Sequence, residues 1–132
     1  MPIKVLIVDD HPFVRLSLEQ LLDATDDIDV VGACADGSEV VTATAQLAPD
    51  VVLMDVMMPK LNGLDATREL LAVQPQVRVL ILTGTFNPSY TAEVKSIGAV
   101  GLILKGDDPA DLPDRIRAVA AGGTVWSRSI AV

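Results

Sequence analysis

The chain has 132 residues, the size of one domain, and half of them are hydrophobic, enough for a single packed core. A formal net charge of -8 argues against nucleic-acid binding by these residues, because phosphate contacts need a basic surface. The lone cysteine, Cys34, rules out an intrachain disulfide, and no apolar stretch is long enough to cross a bilayer, so a cytoplasmic protein with no membrane partner is expected.

Along the chain, strand-like and helix-like patterns alternate. Met1-Pro2-Ile3-Lys4 enters a strand at once, without the segments of a signal peptide. Ile3 to Val8 reads as the first strand, and His11-Pro12 breaks it, with Pro12 suited to the first turn of a helix. Val14, Leu18, Leu21 and Leu22 then recur at helical spacing. Asp23, Asp26, Asp27 and Asp29 read as a solvated helix end and turn, since they lack the spacing of a calcium loop. Ile28 to Cys34 is the second strand. Asp36-Gly37-Ser38 opens the second helix, with Ser38 as the expected N-cap, and that helix ends near Leu47, before Pro49.

Val51 to Met54 is the third strand, followed by a loop with Pro59, Asn62 and Gly63 and a helix over Leu64 to Val73. The fourth strand is Val77 to Leu82. Asn87-Pro88 opens the fourth helix, in which Tyr90, Val94 and Ile97 share a face, and Gly98 ends it. Gly101 to Leu104 is the fifth strand. Asp108-Pro109 opens the fifth helix, Pro113 allows a later start, and Leu112, Ile116, Val119 and Ala120 form its apolar stripe. No element is expected from Thr124 to Val132. Five strand–helix units with right-handed crossovers make an α/β fold, a doubly wound five-stranded parallel sheet with helices on both faces. Only Phe13, Phe86, Tyr90 and Trp126 are aromatic, so aliphatic side chains must fill its core.

Four apolar runs end in polar residues. Val5-Leu6-Ile7-Val8 ends in Asp9-Asp10, Val51-Val52-Leu53-Met54 in Asp55, Val79-Leu80-Ile81-Leu82 in Thr83, and Leu102-Ile103-Leu104 in Lys105. In one parallel sheet these ends share an edge, where open α/β folds place their ligands. Three carboxylates there repel one another and call for a cation, and a hard divalent ion such as Mg2+ takes oxygen ligands. Lys105 is a second compensating charge, expected to pair with Asp55, and Thr83 offers a hydroxyl. A carboxylate so placed can act as a nucleophile toward a phosphoryl group. Each residue alone is an ordinary turn former, cap or surface residue; it is the combination that points to chemistry.

On these residues, together with Asp55-Val56-Met57-Met58-Pro59 and Gly63, the chain resembles the receiver domain of two-component response regulators, the CheY-like family, over roughly Ile3 to Ala121. Val8-Asp9-Asp10-His11-Pro12 and Gly98-Ala99-Val100-Gly101-Leu102-Ile103-Leu104-Lys105 look most like the NarL/FixJ subfamily. The resemblance implies a flavodoxin-like strand order 2-1-3-4-5. It implies Asp55 as phosphoacceptor, with Thr83 and Lys105 binding the phosphoryl oxygens. Asp10 and Asp55 would be side-chain ligands of Mg2+, Asp9 would act mostly through water, and the Met57 backbone carbonyl would be a further ligand. The donor would be a phosphohistidine on a sensor histidine kinase, and the output a homodimer of a LuxR-type transcription regulator. Beyond Mg2+-dependent self-phosphorylation and slow self-dephosphorylation no enzyme activity is implied. His11 fits a local structural or kinase-docking role better than catalysis.

The sequence departs from the family at Leu102, where an aromatic residue is usual. That departure favours an alternative, a phosphorylation-independent interaction module. A phosphohydrolase is disfavoured because Met57 stands where such enzymes carry a second, proton-transferring Asp. The expected division is a receiver domain over 1–122 and a tail or linker over 123–132. Either the linker leads to a DNA-binding domain absent from this chain, the only route to DNA and a continuation on which an exposed Trp126 would pack, or the chain is a stand-alone receiver.

Overall fold

The computed structural model describes residues 2–84 and 88–126, the side chains of 88–90 excepted. The strands are β1 (Ile3–Val8), β2 (Ile28–Cys34), β3 (Val51–Asp55), β4 (Arg78–Thr83), β5 (Gly101–Leu104) and β6 (Val125–Trp126). The helices are α1 (Pro12–Asp23), α2 (Val40–Leu47), α3 (Gly63–Val73), α4 (Pro88–Ile97) and α5 (Leu112–Ala120). All pairings are parallel, in the order β2-β1-β3-β4-β5-β6.

The aliphatic runs form this sheet because alternate side chains of a strand reach opposite faces, and helices cover both. Leu6, Val8, Val52, Met54, Val79, Ile81 and Leu102 pack with Val40, Leu64, Leu70 and Val94 of α2, α3 and α4. Val5, Ile7, Val51, Leu53, Leu80, Leu82 and Ile103 pack on the other face with Leu22 of α1 and Leu112, Ile116 and Val119 of α5. Two cores thus grip one sheet, and the strand ends are held between them.

Several expectations need correction. The second helix begins with a short 3-10 turn, Gly37–Glu39, and its N-cap is Asp36 instead of Ser38. The Asp36 carboxylate accepts the Ser38 N–H, while Glu39 Oε1 accepts the Asp36 N–H, a reciprocal capping box. Asn62 caps α3, which starts at Gly63. A 3-10 turn over Pro109–Asp111 leads into α5, the later start that Pro113 permitted. The expected opening of the fourth helix at Asn87 and the place of the Tyr90 side chain lie outside the described residues.

Among the described residues the sheet has six strands where five were expected. Val125 and Trp126 pair with Gly101 and Leu102, and the Val125 N–H donates to the Val100 carbonyl at 3.0 Å. Trp126 is half-buried, against the expectation of an exposed ring: it packs on the core that contains Leu102, with Lys95 Nζ 4.9 Å from its centroid. Gly101 makes the pairing possible, since a Cβ there would lie 2.3 Å from the Val125 carbonyl oxygen and 2.7 Å from Leu80 Cδ1.

Gly101→Ala is accordingly expected to cost about 1–3 kcal/mol and to displace β6 while the remaining sheet holds. Trp126, the only tryptophan, reports it. Its emission should shift to the red with far-UV circular dichroism nearly unchanged, whereas an unshifted spectrum would show that β6 tolerates the methyl.

Candidate functional site

Strand register builds the site. Val8 pairs with Met54, so Asp9 follows β1 beside Asp55 at the end of β3. Asp55 pairs with Leu82, and Thr83 is the next residue of β4. Thr83 in turn pairs with Leu104, and Lys105 follows. The Lys105 N–H donates to the Thr83 carbonyl at 2.7 Å, which carries the β4–β5 ladder past the strand end.

Asp9, Asp55 and Thr83 are buried, Asp55 with only 4% of its surface exposed. Lys105 Nζ bridges two of the carboxylates, 2.8 Å from Asp9 Oδ2 and 3.1 Å from Asp55 Oδ1. The expected pairing with Asp55 is therefore present, and Asp9 shares it. The His11 backbone N–H donates to Asp9 Oδ1 at 2.9 Å. The His11 ring, largely exposed, places Nδ1 3.2 Å from Asp9 Oδ1 and 3.0 Å from Asp10 Oδ1. Arg15 Nη1 donates to the Asp9 carbonyl at 2.6 Å. Sequence reasoning did not single out Arg15, because nothing local distinguishes it from other α1 surface residues.

Among the described residues the buried Asp55 Oδ2 has no hydrogen-bond partner. Burial, and then the charge of Asp9, push the Asp55 carboxyl above its ordinary range, against the opposing pull of Lys105. For Lys105, burial is the largest influence and pulls the ammonium down, but its bonds and charge contacts with Asp9 and Asp55 prevail and the net shift is upward. The Lys105 ammonium contacts Asp9 and Asp55, and ligand atoms from Asp9, Asp10, His11 and Asp55 lie within 4.8 Å of one another. An oxygen-rich set with an unpartnered buried carboxylate oxygen fits a hard divalent cation; the His11 nitrogen is the poorer donor for it.

Met57, two residues past Asp55, is 66% exposed. The loop it opens closes on itself, with the Gly63 N–H donating to the Val56 carbonyl at 2.8 Å. Gly63 is packed so closely on the end of β3 that a Cβ there would lie 1.9 Å from the Asp55 carbonyl oxygen. The sequence marked Pro59 and Gly63 as loop formers, and this contact supplies the reason for Gly63.

Because the folded value of Asp55 is raised, its ionisation opposes folding. The penalty is absent below the ordinary carboxylate range and develops as pH rises through the raised value. Asp55→Asn is therefore expected to raise the Tm of the metal-free protein at neutral pH. The gain should shrink as pH falls through the carboxylate range, and thermal melts across that range would refute it by showing no gain at neutral pH.

The family model of the response regulator receiver domain matches residues 5–117. The transcriptional regulatory protein LiaR of Bacillus subtilis (strain 168) is 37% identical over 120 residues, covering 91% of this chain and 57% of LiaR. The chain thus spans little more than half the length of that relative. The structure of a two-component response regulator of the LuxR family from Aurantimonas sp. SI85-9A1 matches with a TM-score of 0.95 at 32% identity, over 99% of this chain and 94% of that one. RcsB, in a structure of two RcsB dimers bound to two parallel DNAs, matches with a TM-score of 0.90 at 26% identity, over 99% of this chain and 67% of that one. With the acidic edge, the strand order and these matches in agreement, the chain belongs to the receiver domains of two-component response regulators, with a transcriptional regulatory protein and a LuxR-family response regulator among its relatives.

Proposed function

We propose that this receiver domain takes a phosphoryl group onto Asp55 from a phosphohistidine of a sensor histidine kinase. The carrying observation is the buried, unpartnered Asp55 Oδ2 beside Lys105. A lone pair of that carboxylate forms the new O–P bond. The N–P bond of the donor breaks, and its electron pair stays on the imidazole nitrogen. Lys105, already 3.1 Å from Asp55, sits where it can neutralise phosphoryl oxygens, and Thr83 at the neighbouring strand end offers its hydroxyl to another. Asp9, Asp10, Asp55 and the Met57 carbonyl are the residues that would hold Mg2+, which when bound supplies positive charge for the transferred group.

Charge moving onto Asp55 competes with Asp9 for Lys105 and draws on Thr83, so the ends of β4 and β5 are where the switch begins. The output is a changed homodimer. RcsB, whose dimers bind DNA, supports this reading, as does LiaR, a transcriptional regulator. DNA contact belongs to a domain outside these residues, in keeping with the charge of -8. Cytoplasmic placement follows from the kinase partner, and among the described residues no helix is long and apolar enough to cross a membrane. A groove between α1 and α5, lined by Phe13, Leu18, Leu112 and Lys105, opens beside the site, and Phe13 on its rim is 85% exposed. That position suits it to receive the kinase.

One observation favours a second reading. Leu102 is 1% exposed and packed in the core, so the usual aromatic is replaced by an aliphatic side chain without a hydroxyl. A domain that is phosphorylated without changing its oligomeric state would be a phosphorylation-independent interaction module.

Intact-protein mass after incubation with a small phosphodonor tests the chemistry. The expected result is a Mg2+-dependent gain of one phosphoryl group, absent in Asp55→Asn and slowed at least about tenfold in Lys105→Ala. No gain in the presence of Mg2+ overturns the proposal. Light scattering on the phosphorylated sample then separates the two readings, a dimer supporting the switch and an unchanged monomer the module.

A further inference from the structure

We propose that Asp36 is a positioning residue for the Asp55 site, holding the loop between β3 and α3 in the shape the site requires. The inference rests on the reading of Asp55 as phosphoacceptor and extends it to a residue on another strand connection. Asp36 lies beyond β2, on the far side of β1 from Asp55 in the sheet order. Its buried carboxylate does more than cap its own turn. Asp36 Oδ1 accepts the Lys60 N–H at 3.0 Å, and Oδ2 accepts both the Leu61 N–H at 3.3 Å and the Ser38 N–H at 2.9 Å. The Ser38 N–H above all, with those of Lys60 and Leu61, holds the carboxyl below its ordinary range against the pull of burial.

The contact leaves little slack. A Cβ on Gly37 would lie 2.4 Å from the Leu61 carbonyl oxygen, so the turn after β2 presses directly on the loop. On the loop's other side Gly63 presses on the Asp55 carbonyl and donates to that of Val56. A continuous set of contacts therefore runs from Asp36 through Lys60 and Leu61 to Gly63 and the backbone of Asp55. The segment between, which carries Met57, is fixed at both ends. Charged acceptors for backbone N–H groups are among the stronger hydrogen bonds, and partners that orient ligand-bearing groups control metal affinity.

The test uses the whole chain as wild type, Asp36→Ala, Asp36→Asn and Glu39→Ala. Glu39→Ala removes the other half of the capping box, the acceptor for the Ala35 and Asp36 N–H groups, and the Glu39 side chain makes no hydrogen bond to Lys60 or Leu61. Amide hydrogen exchange is followed in the metal-free protein, and Mg2+ affinity is measured by calorimetry. In Asp36→Ala the Lys60 and Leu61 amides should exchange about tenfold faster, and Mg2+ should bind about tenfold more weakly. Asp36→Asn keeps one acceptor oxygen and should fall between, while Glu39→Ala should lose thermal stability with Mg2+ affinity close to wild type. Asp36 variants that melt earlier but bind Mg2+ like the wild type would reduce Asp36 to a helix cap and overturn the inference, as would a wild type that binds no Mg2+. A wild type that binds Mg2+ but accepts no phosphoryl group would instead overturn the phosphoacceptor reading, leaving the calorimetric comparison to decide the role of Asp36.

Discussion

Repulsion among carboxylates at the edge of the sheet is the constraint on which the site depends. Two unit charges about 4 Å apart interact by roughly 4 kcal/mol at an effective dielectric near 20, and here Asp9, Asp10 and Asp55 are brought together with Lys105 as the compensating ammonium. Lys105 cannot satisfy them all. It bridges Asp9 and Asp55, and among the described residues the second oxygen of Asp55 finds no partner. The acidic edge is therefore under electrostatic tension that a divalent cation would relieve, and Asp55, the residue read as the nucleophile, shares in it.

The rest of the molecule holds this arrangement together. Left free, the four strand ends would move apart, and the two aliphatic cores on opposite faces of the sheet prevent it. Loops then close around the site. Arg15 ties α1 to the Asp9 carbonyl, Gly63 seats α3 against Asp55, and Asp36 joins the turn after β2 to the loop after β3. On the opposite flank β5 lies between the Thr83 strand and β6, so Leu102 pairs with Ile81 on one side and Trp126 on the other. The half-buried Trp126 ring thus packs on the same core as Leu102.

Much of this was legible because it is local. Buried parallel strands read as aliphatic runs, and their polar ends mark Asp9, Asp10, Asp55, Thr83 and Lys105 in the sequence itself. What escaped was long-range. A strand of two residues, Val125–Trp126, has no periodicity to detect and exists through its pairing with Gly101 and Leu102. Ser38 was a plausible cap, and the signal for Asp36 was present as Asp-x-x-Glu to Glu39, but the bonds from Asp36 to Lys60 and Leu61 span 24 and 25 residues. The sharing of Lys105 between Asp9 and Asp55 is likewise a product of register, which side-chain order along the chain does not determine.

The most direct test of the central claim is fluorine NMR of beryllofluoride, a stable mimic of a phosphoryl group, added to the protein with and without Mg2+. The predicted result is a bound fluorine signal that requires Mg2+ and is lost in Asp55→Asn, because the proposed site needs both an oxygen of Asp55 and a bound cation. A bound signal that survives Asp55→Asn, or none at saturating Mg2+, would contradict it.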